Sequence, residues 1–195
     1  MCVLKGLTTT LAKKATLFPF GIWFANPSTL YVADEGSGDN TYVPAPGTYT
    51  KAAAQSSAGL QKWVLDPTTH AWKLAYTLQA GLGLGQPYAI ASSPSGTSYP
   101  TGDNPATGLP WAPATDGLRN LTGRLNSDGT ATIWAVTSTV SGNGDQGADP
   151  NKVVTITDNA AATTLPTNES FATLRSAGYG EVLRGVSFTP GTTQP

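Results

Sequence analysis

The sequence predicts an all-β protein, and three features of its composition carry that prediction. The 195 residues include 22 Gly and 15 Pro, which is a high share for a mainly helical protein. Charged residues make up only 12% of the chain, so long amphipathic helices would have little to place on their solvent-facing sides. Threonine, which favours strands, occurs 29 times. The length suits one domain, and we expect a single β-domain over 1–195.

Apolar and alternating runs bounded by turn residues predict about nine strands. Asn26-Pro27-Ser28 and Asp128-Gly129 are turn sequences that join neighbouring runs into hairpins. The predicted strands lie at 18–25, 29–34, 59–66, 72–78, 118–126, 130–139, 152–157, 171–175 and 181–189, with room for one more at 2–5.

Two long segments interrupt these strands. Residues 36–57 are rich in Gly, Pro and Ala and contain one predicted helical turn at 51–55. Residues 83–116 contain six prolines. Because loops longer than ~12–15 residues in a compact domain are usually functional or mobile, we expect functional residues in or beside both segments.

The strands repeat in groups of four. One group lies in residues 18–78 and the other in 117–175. Corresponding strands are unevenly separated along the chain, and the two long segments account for most of this unevenness. Four strands in about 40–50 residues is typical of a β-propeller blade. This arrangement predicts about two antiparallel blades and leaves one orphan strand at each end.

The segments Phe20–Phe24, Thr29–Asp34 and Gly59–Trp63 together resemble an NHL-type propeller blade. Blades of this kind are similar to repeats in bacterial surface propellers and gluconolactonase-type enzymes. Residues 117–123 and 180–188 resemble the C-terminal part of exported bacterial propeller-like proteins. The resemblance implies a propeller fold and a secreted or cell-surface location, without an activity. Since closed propellers have typically 4–8 blades, we expect a partial propeller, either a fragment or one completed by oligomerisation.

Composition also excludes several classes of function. The net charge of −1 gives no basic surface for nucleic acid, and no apolar run has the length of a membrane span. Cys2 and His70 are the single cysteine and histidine, which excludes a disulfide framework and a standard zinc site. The first residues lack the apolar region of a signal peptide. A serine-hydrolase elbow, G-x-S-x-G, is absent from the sequence.

A glycine pattern at 142–147 matches the G-x-G-x-x-G of dinucleotide-binding proteins. That motif needs a helix immediately afterwards, because the helix N-terminus holds the pyrophosphate. Here a Val-rich strand follows instead, so we interpret the pattern as a loop.

Acidic loops are the strongest chemical signal. Two predicted strands are followed by carboxylates that could ligate a hard cation such as Ca²⁺. These candidate metal ligands are Asp34, Glu35, Asp39, Asp145 and Asp149. The resemblance to gluconolactonase-type enzymes adds Asp116 as a catalytic candidate and Arg119 as a group that would polarise an oxyanion. Asp/Asn/Gly clusters are also ordinary turn chemistry, and we favour that interpretation of these loops over a Ca²⁺ site or catalysis.

Three aromatic residues, Tyr88, Tyr99 and Trp111, lie in the long segment 83–116. Aromatic side chains on a charge-poor surface suit contact with a carbohydrate or a protein, and packing against the sheet is the alternative. The sequence therefore predicts a non-catalytic, exported or surface binding or assembly module of propeller type. A divalent-cation-dependent lactonase or esterase is the alternative. The expected partners are copies of the same chain or missing blades, with neither nucleic acid nor a membrane span.

Overall fold

A computed structural model describes residues 3–8, 16–143 and 148–191 of the chain. Within these ranges the regular structure consists of β-strands and one helix of four residues. The elements are β1 (Pro19–Asn26), β2 (Thr29–Asp34), β3 (Tyr42–Val43), β4 (Thr48–Tyr49), α1 (Thr50–Ala53), β5 (Gly59–Leu65), β6 (Trp72–Leu78), β7 (Asp103–Asn104), β8 (Leu109–Pro110), β9 (Ala114–Leu125), β10 (Thr130–Val140), β11 (Lys152–Asn159) and β12 (Ala172–Ser176).

The eight longest strands form two four-stranded antiparallel sheets. The first has the order β1-β2-β5-β6 and the second the order β12-β11-β10-β9. In each sheet every strand pairs with the neighbouring sheet strand in chain order, so both are simple meanders. The all-β prediction is confirmed. The sheets of the described residues are open, and the propeller stays a prediction.

The two meanders bury a common core between them. Along each strand alternate side chains point to opposite faces, and most of the inward-facing side chains are apolar. From the first sheet the core takes Tyr31, Ala33, Leu60 and Leu78, and from the second it takes Leu118, Ile133, Val154 and Ile156. The core therefore holds one sheet against the other.

The edge strands β1 and β9 meet on one side of this pair of sheets. At Gly21 of β1 a Cβ atom would lie 2.8 Å from the carbonyl oxygen of Arg119, and at Gly123 of β9 it would lie 2.6 Å from the ring of Trp23. Both distances are far inside ordinary van der Waals contact. Glycine at these two positions therefore lets the edges approach and closes this side.

The outer face of the first sheet carries a second, smaller apolar cluster. Its buried members are Leu30, Val32, Trp63 and Trp72. The N-terminal residues Leu4 and Leu7 pack on this cluster, and the Trp72 amide donates to the carbonyl of Lys5 at 2.7 Å. Residues 3–8 thus cover part of this face.

The two long segments form short hairpins of their own. Strands β3 and β4 pair and lead into α1, which occupies the region of the helical turn predicted at 51–55. Strands β7 and β8 pair within the second segment. No helix among the residues described here is long and apolar enough to cross a bilayer.

The strand predicted at 181–189 is wrong, since this region is irregular. Its backbone is bound by a side chain instead of a neighbouring strand: the Leu183 amide donates to Asn151 Oδ1 at 2.7 Å, and Asn151 Nδ2 donates back to the Leu183 carbonyl at 2.9 Å. Phe188 packs edge-to-face on Trp134 of β10. Residues 3–5, within the further strand predicted at 2–5, are also irregular.

Candidate functional site

Four of the predicted site residues meet in one corner of the molecule, which we call the acidic corner: Asp34, Glu35, Asp116 and Arg119. The chain leaving β2 crosses the start of β9 there at very short range. A Cβ atom at Gly117 would lie 2.3 Å from the Asp34 carbonyl oxygen, and one at Gly36, where φ is +81°, would lie 2.5 Å from the Asp116 carboxyl carbon. Because only glycine fits at either position, the sequence can bring the acidic residues together.

Asp34 is fully buried at the end of β2, and its carboxylate is surrounded by donors. The amides of Phe18 and Gly36 donate to it at 2.7 and 3.1 Å, and Gln61 Nε2 donates at 2.9 Å. Burial raises the pKa of Asp34 from its ordinary value, while these hydrogen bonds oppose the rise. The side chain therefore fixes the path of the chain around the end of β2.

Asp116 is likewise buried and accepts two hydrogen bonds from the segment 36–57. The Gly38 amide donates at 2.8 Å and Gln55 Nε2 donates at 2.7 Å. A carboxylate in β9 thus ties both ends of this segment to the second sheet. The same two bonds occupy oxygens that a metal ion or a substrate would need.

Glu35 and Arg119 form an ion pair at the surface of the corner. The Arg119 Nε atom lies 2.8 Å from Glu35 Oε2, with the two side chains 23% and 24% exposed. The guanidinium also lies 5.3 Å from the centre of the Phe20 ring. Asp39 is exposed nearby and accepts from the amide and hydroxyl of Thr41, and these bonds lower the pKa of its carboxyl.

The corner therefore places candidate residues together, with its carboxylates bonded to protein donors. In the ranges that the structure describes, no group of three or more His, Cys, Asp or Glu side chains is positioned to hold a metal ion. Asp145 lies outside those ranges.

Asp149 makes its contacts beside the aromatic residues of the segment 83–116. It is buried, and its Oδ1 atom accepts from Asn143 Nδ2 at 2.6 Å and lies 3.5 Å from the Tyr99 hydroxyl oxygen. Within the described part of the chain, its Oδ2 atom has no hydrogen-bond partner. Burial and the nearby Asp149 carboxylate raise the pKa of Tyr99 to about 12.

The three predicted ligand-contacting aromatics are half-buried and joined to the backbone. Tyr99 donates to the Trp111 carbonyl at 3.2 Å, and the Trp111 amide donates to Gly102 at 2.9 Å. Tyr88 donates to the Pro150 carbonyl at 2.9 Å, and Lys152 Nζ lies 3.6 Å from the centre of its ring. These residues hold the long segment onto the end of the second sheet and leave part of each ring exposed.

A second set of polar residues, which sequence reasoning missed, lies between the sheets. Trp23, Tyr31, Lys62 and Tyr76 occupy successive strands of the first sheet in directly paired positions. Trp23 stacks on Tyr31 with ring centres 5.7 Å apart. This row crosses the buried face of the sheet and places a lysine within the core.

Lys62 binds Asp158 of the second sheet. Lys62 Nζ lies 2.8 Å from Asp158 Oδ2, and both side chains are fully buried. The hydroxyls of Tyr31 and Tyr76 also donate to the Asp158 carboxylate. Burial and the neighbouring Asp158 raise the pKa of both tyrosines, so they remain neutral donors. We call these residues, together with Glu169, the inter-sheet cluster.

Glu169 completes the cluster from the loop between β11 and β12. Burial, together with the nearby Asp158 carboxyl, raises the pKa of Glu169 to about 7. Its other side lines an open groove of about 520 Å³. The groove is hydroxyl- and amide-rich, with Thr130, Thr155, Thr157, Asn159, Asn168 and Ser170 in its walls.

Comparison with known proteins leaves the geometry as the main guide to function. No protein-family model matches the chain, and neither a curated protein nor a solved structure shows significant similarity to it.

Proposed function

We propose that this chain is a non-catalytic binding or assembly module, exported or located at a cell surface, that pairs with another chain through the open side of its two sheets. One observation supports this most strongly. On one side the edge strands β1 and β9 contact each other, whereas the opposite edges, β6 and β12, end their sheets. All five residues of β12 are exposed. An edge strand presents a row of backbone donors and acceptors to which another strand can add.

The charges on these edges favour selective pairing. Lys73 on β6 and Arg175 on β12 are exposed basic residues of the kind that prevents indiscriminate edge-to-edge contact. Each is held by an acid of its own chain, since Lys73 pairs with Asp66 and Arg175 with Glu181. A partner strand that matches these charges would therefore be preferred over an arbitrary one.

More specifically, the two sheets would be blades of a propeller that is completed by other copies of the chain or by missing blades. Each sheet is a four-stranded antiparallel meander, which is the unit that propellers repeat, and the two sheets already pack face to face. A carbohydrate or protein ligand would then contact the half-buried aromatic residues of the segment 83–116. Export is supported by the charge-poor, threonine-rich composition and the resemblance of the blades.

The divalent-cation hydrolase is the second candidate, because Asp34, Glu35, Asp116 and Arg119 do share one corner. Against it, Asp34 and Asp116 accept hydrogen bonds from backbone amides and glutamine side chains, and Glu35 pairs with Arg119. A metal ion would have to displace several of these partners. We therefore favour the binding module.

Light scattering coupled to size exclusion tests the assembly proposal from micromolar to millimolar concentration. We expect a discrete oligomer that Leu174→Lys on β12 weakens by at least tenfold in dissociation constant, because the new charge opposes strand addition. Leu165→Lys is the matched control, since Leu165 is 56% exposed outside the sheets and Leu174 is 57% exposed. A chain that stays monomeric throughout, or equal effects of both substitutions, would refute assembly through β12.

A further inference from the structure

In the inter-sheet cluster, every hydrogen-bond donor of Lys62 and of its two tyrosine neighbours can be assigned to an acceptor. An ammonium group has three N–H donors. Lys62 Nζ contacts Asp158 Oδ2 at 2.8 Å, the Tyr76 hydroxyl oxygen at 2.9 Å and the Asn159 carbonyl at 2.6 Å. The hydroxyl hydrogens of Tyr31 and Tyr76 are both directed at Asp158. Every donor of these three side chains is therefore in use.

Glu169 enters this saturated cluster as a second carboxyl. Its Oε1 atom accepts from the Asn159 amide at 3.3 Å, whereas its Oε2 atom is buried and has no partner in the described residues. Asp158 already balances the charge of Lys62. An ionised Glu169 would add an uncompensated negative charge against Asp158, while a protonated one supplies the missing hydrogen bond.

The segment that carries Glu169 also connects the two sheets. Phe171 is buried in the shared core, and its amide donates to the carbonyl of Ala80, just beyond β6, at 2.8 Å. A Cβ atom at Gly81 would lie 2.4 Å from the Phe171 carbonyl oxygen, so the two segments touch closely. The next residue, Ala172, begins β12. Whatever holds residues 168–171 in place therefore also positions the start of the open edge.

We propose that Asp158 and Glu169 share a single proton, and that this proton fixes residues 168–171 against the first sheet, so that its loss loosens the start of β12. The proton exchanges with solvent through the open groove that Glu169 lines. This pH-sensitive contact lies at the edge through which the proposed function has the chain assemble. The argument for the contact uses only the residues of the inter-sheet cluster and does not require assembly.

The surroundings of Glu169 determine the pH range of this contact. Asp158 of β11 raises its pKa and Lys62 of β5 lowers it, with burial as the largest cause of the net rise to about 7. Tyr31 of β2 and Tyr76 of β6 stay neutral because their own pKa values are raised. The contact is thus formed while Glu169 keeps its proton, is half lost near pH 7 and is lost above it, whereas its contribution to stability is complete only below the ordinary glutamate value of about 4.3.

Carboxyl carbon NMR of the wild-type chain gives the first test. We expect the Glu169 Cδ resonance to titrate near pH 7, in place of the usual ~4.3 of a glutamate. A Glu169 that titrates at the ordinary glutamate value would overturn the proposal. This readout needs no oligomer, so it stands or falls separately from assembly through β12.

Amide hydrogen exchange gives the second test, with Glu169→Gln as a permanent analogue of the protonated acid. Relative to this variant at each pH, the wild-type amides of Phe171 and Ala172 should lose protection by about tenfold between pH 5 and 8. Asp39→Asn, an exposed carboxylate in the segment 36–57 whose pKa is lowered, is the control and should behave like wild type. Equal protection of wild type and Glu169→Gln across this range would contradict the proposal.

Discussion

Lys62 of the first sheet and Asp158 of the second form a fully buried ion pair, 2.8 Å apart and separated by 96 positions in the chain. Each belongs to an inward-facing row of an otherwise apolar core. A buried pair of this kind offsets its own desolvation only when further hydrogen bonds complete it, and here Tyr31 and Tyr76 do so. The pair thus acts as a specific joint between the sheets.

Removing either partner of this ion pair should lower the free energy of unfolding strongly. Replacing Lys62 by Met leaves Asp158 buried without its counter-charge, and we expect a loss of about 3–5 kcal/mol in the free energy of unfolding. Asp158→Asn should cost a similar amount, and the double variant should lose clearly less than the sum of the two. Urea denaturation of the four proteins measures this coupling. Additive losses would show that the two side chains contribute independently.

Glu169 should make stability depend on pH in a direction unusual for a carboxyl. Because its pKa is raised in the folded state, its contribution is complete below the unfolded value and is lost as the pH rises through about 7. Glu169→Gln should therefore match wild type near pH 4 and exceed it at pH 8. Chemical denaturation across this range measures the difference. Glu181→Gln should show no such gain at pH 8, since hydrogen bonding from the Gly178 amide lowers the pKa of Glu181.

The stability of the acidic corner should depend more on the close packing of its two backbone segments than on the surface ion pair between Glu35 and Arg119. Gly117→Ala would push a Cβ atom to 2.3 Å from the Asp34 carbonyl oxygen, and we expect a loss of more than about 2 kcal/mol. Gly185→Ala is the control, since its nearest neighbour would be 3.5 Å away. Thermal unfolding separates the two variants. Equal stability of both would mean that the corner relaxes freely.

The surface pair of the same corner should contribute little. Arg119 and Glu35 are both about a quarter exposed, and pairs of this kind are worth about 0–1 kcal/mol. Glu35→Gln should therefore lower stability only slightly, and high salt should reduce the difference further. A loss above about 2 kcal/mol would show that the pair has a larger structural role than its exposure indicates.

Calcium should leave the stability of the chain unchanged. A ligand at a hundred times its dissociation constant adds about 2.7 kcal/mol to the free energy of unfolding, which thermal unfolding detects readily. Because Asp34 and Asp116 are bonded to protein donors, we expect the same Tm with millimolar Ca²⁺ and with EDTA. A higher Tm in Ca²⁺ that Asp116→Asn abolishes would favour the hydrolase instead.

The strands were predictable where turn chemistry bounds them. Asn26-Pro27-Ser28 and Asp128-Gly129 separate runs that pair as hairpins, and the predicted ranges 29–34 and 72–78 coincide with β2 and β6. The range 181–189 has a similar composition and forms no strand, because Asn151 binds its backbone. Propensity describes a residue's preference for extended backbone, and only the tertiary structure supplies a partner strand.

The meeting of Asp34 with Asp116 was not predictable, because it depends on how closely β2 and β9 approach. The inter-sheet cluster did leave a signal. Lys62 alternates with Leu60, and Asp158 alternates with Ile156, so each charge stands on an apolar face. Opposite charges on the buried faces of two strands indicate a buried pair, although the sequence does not say that these two strands face each other.

The meander topology also bears on how the protein reaches its structure. Each sheet is built from strands that follow one another along the chain, so hairpin contacts can form early and locally. The contact between Tyr31 and Asp158 instead closes a loop of 127 positions, which carries a large entropic cost. We therefore expect the hairpins to be formed in the transition state for folding, and the contacts of Asp158 with Lys62 and Tyr31 between the sheets to form only after it. Substitutions at Asp158 would then accelerate unfolding and leave the folding rate almost unchanged.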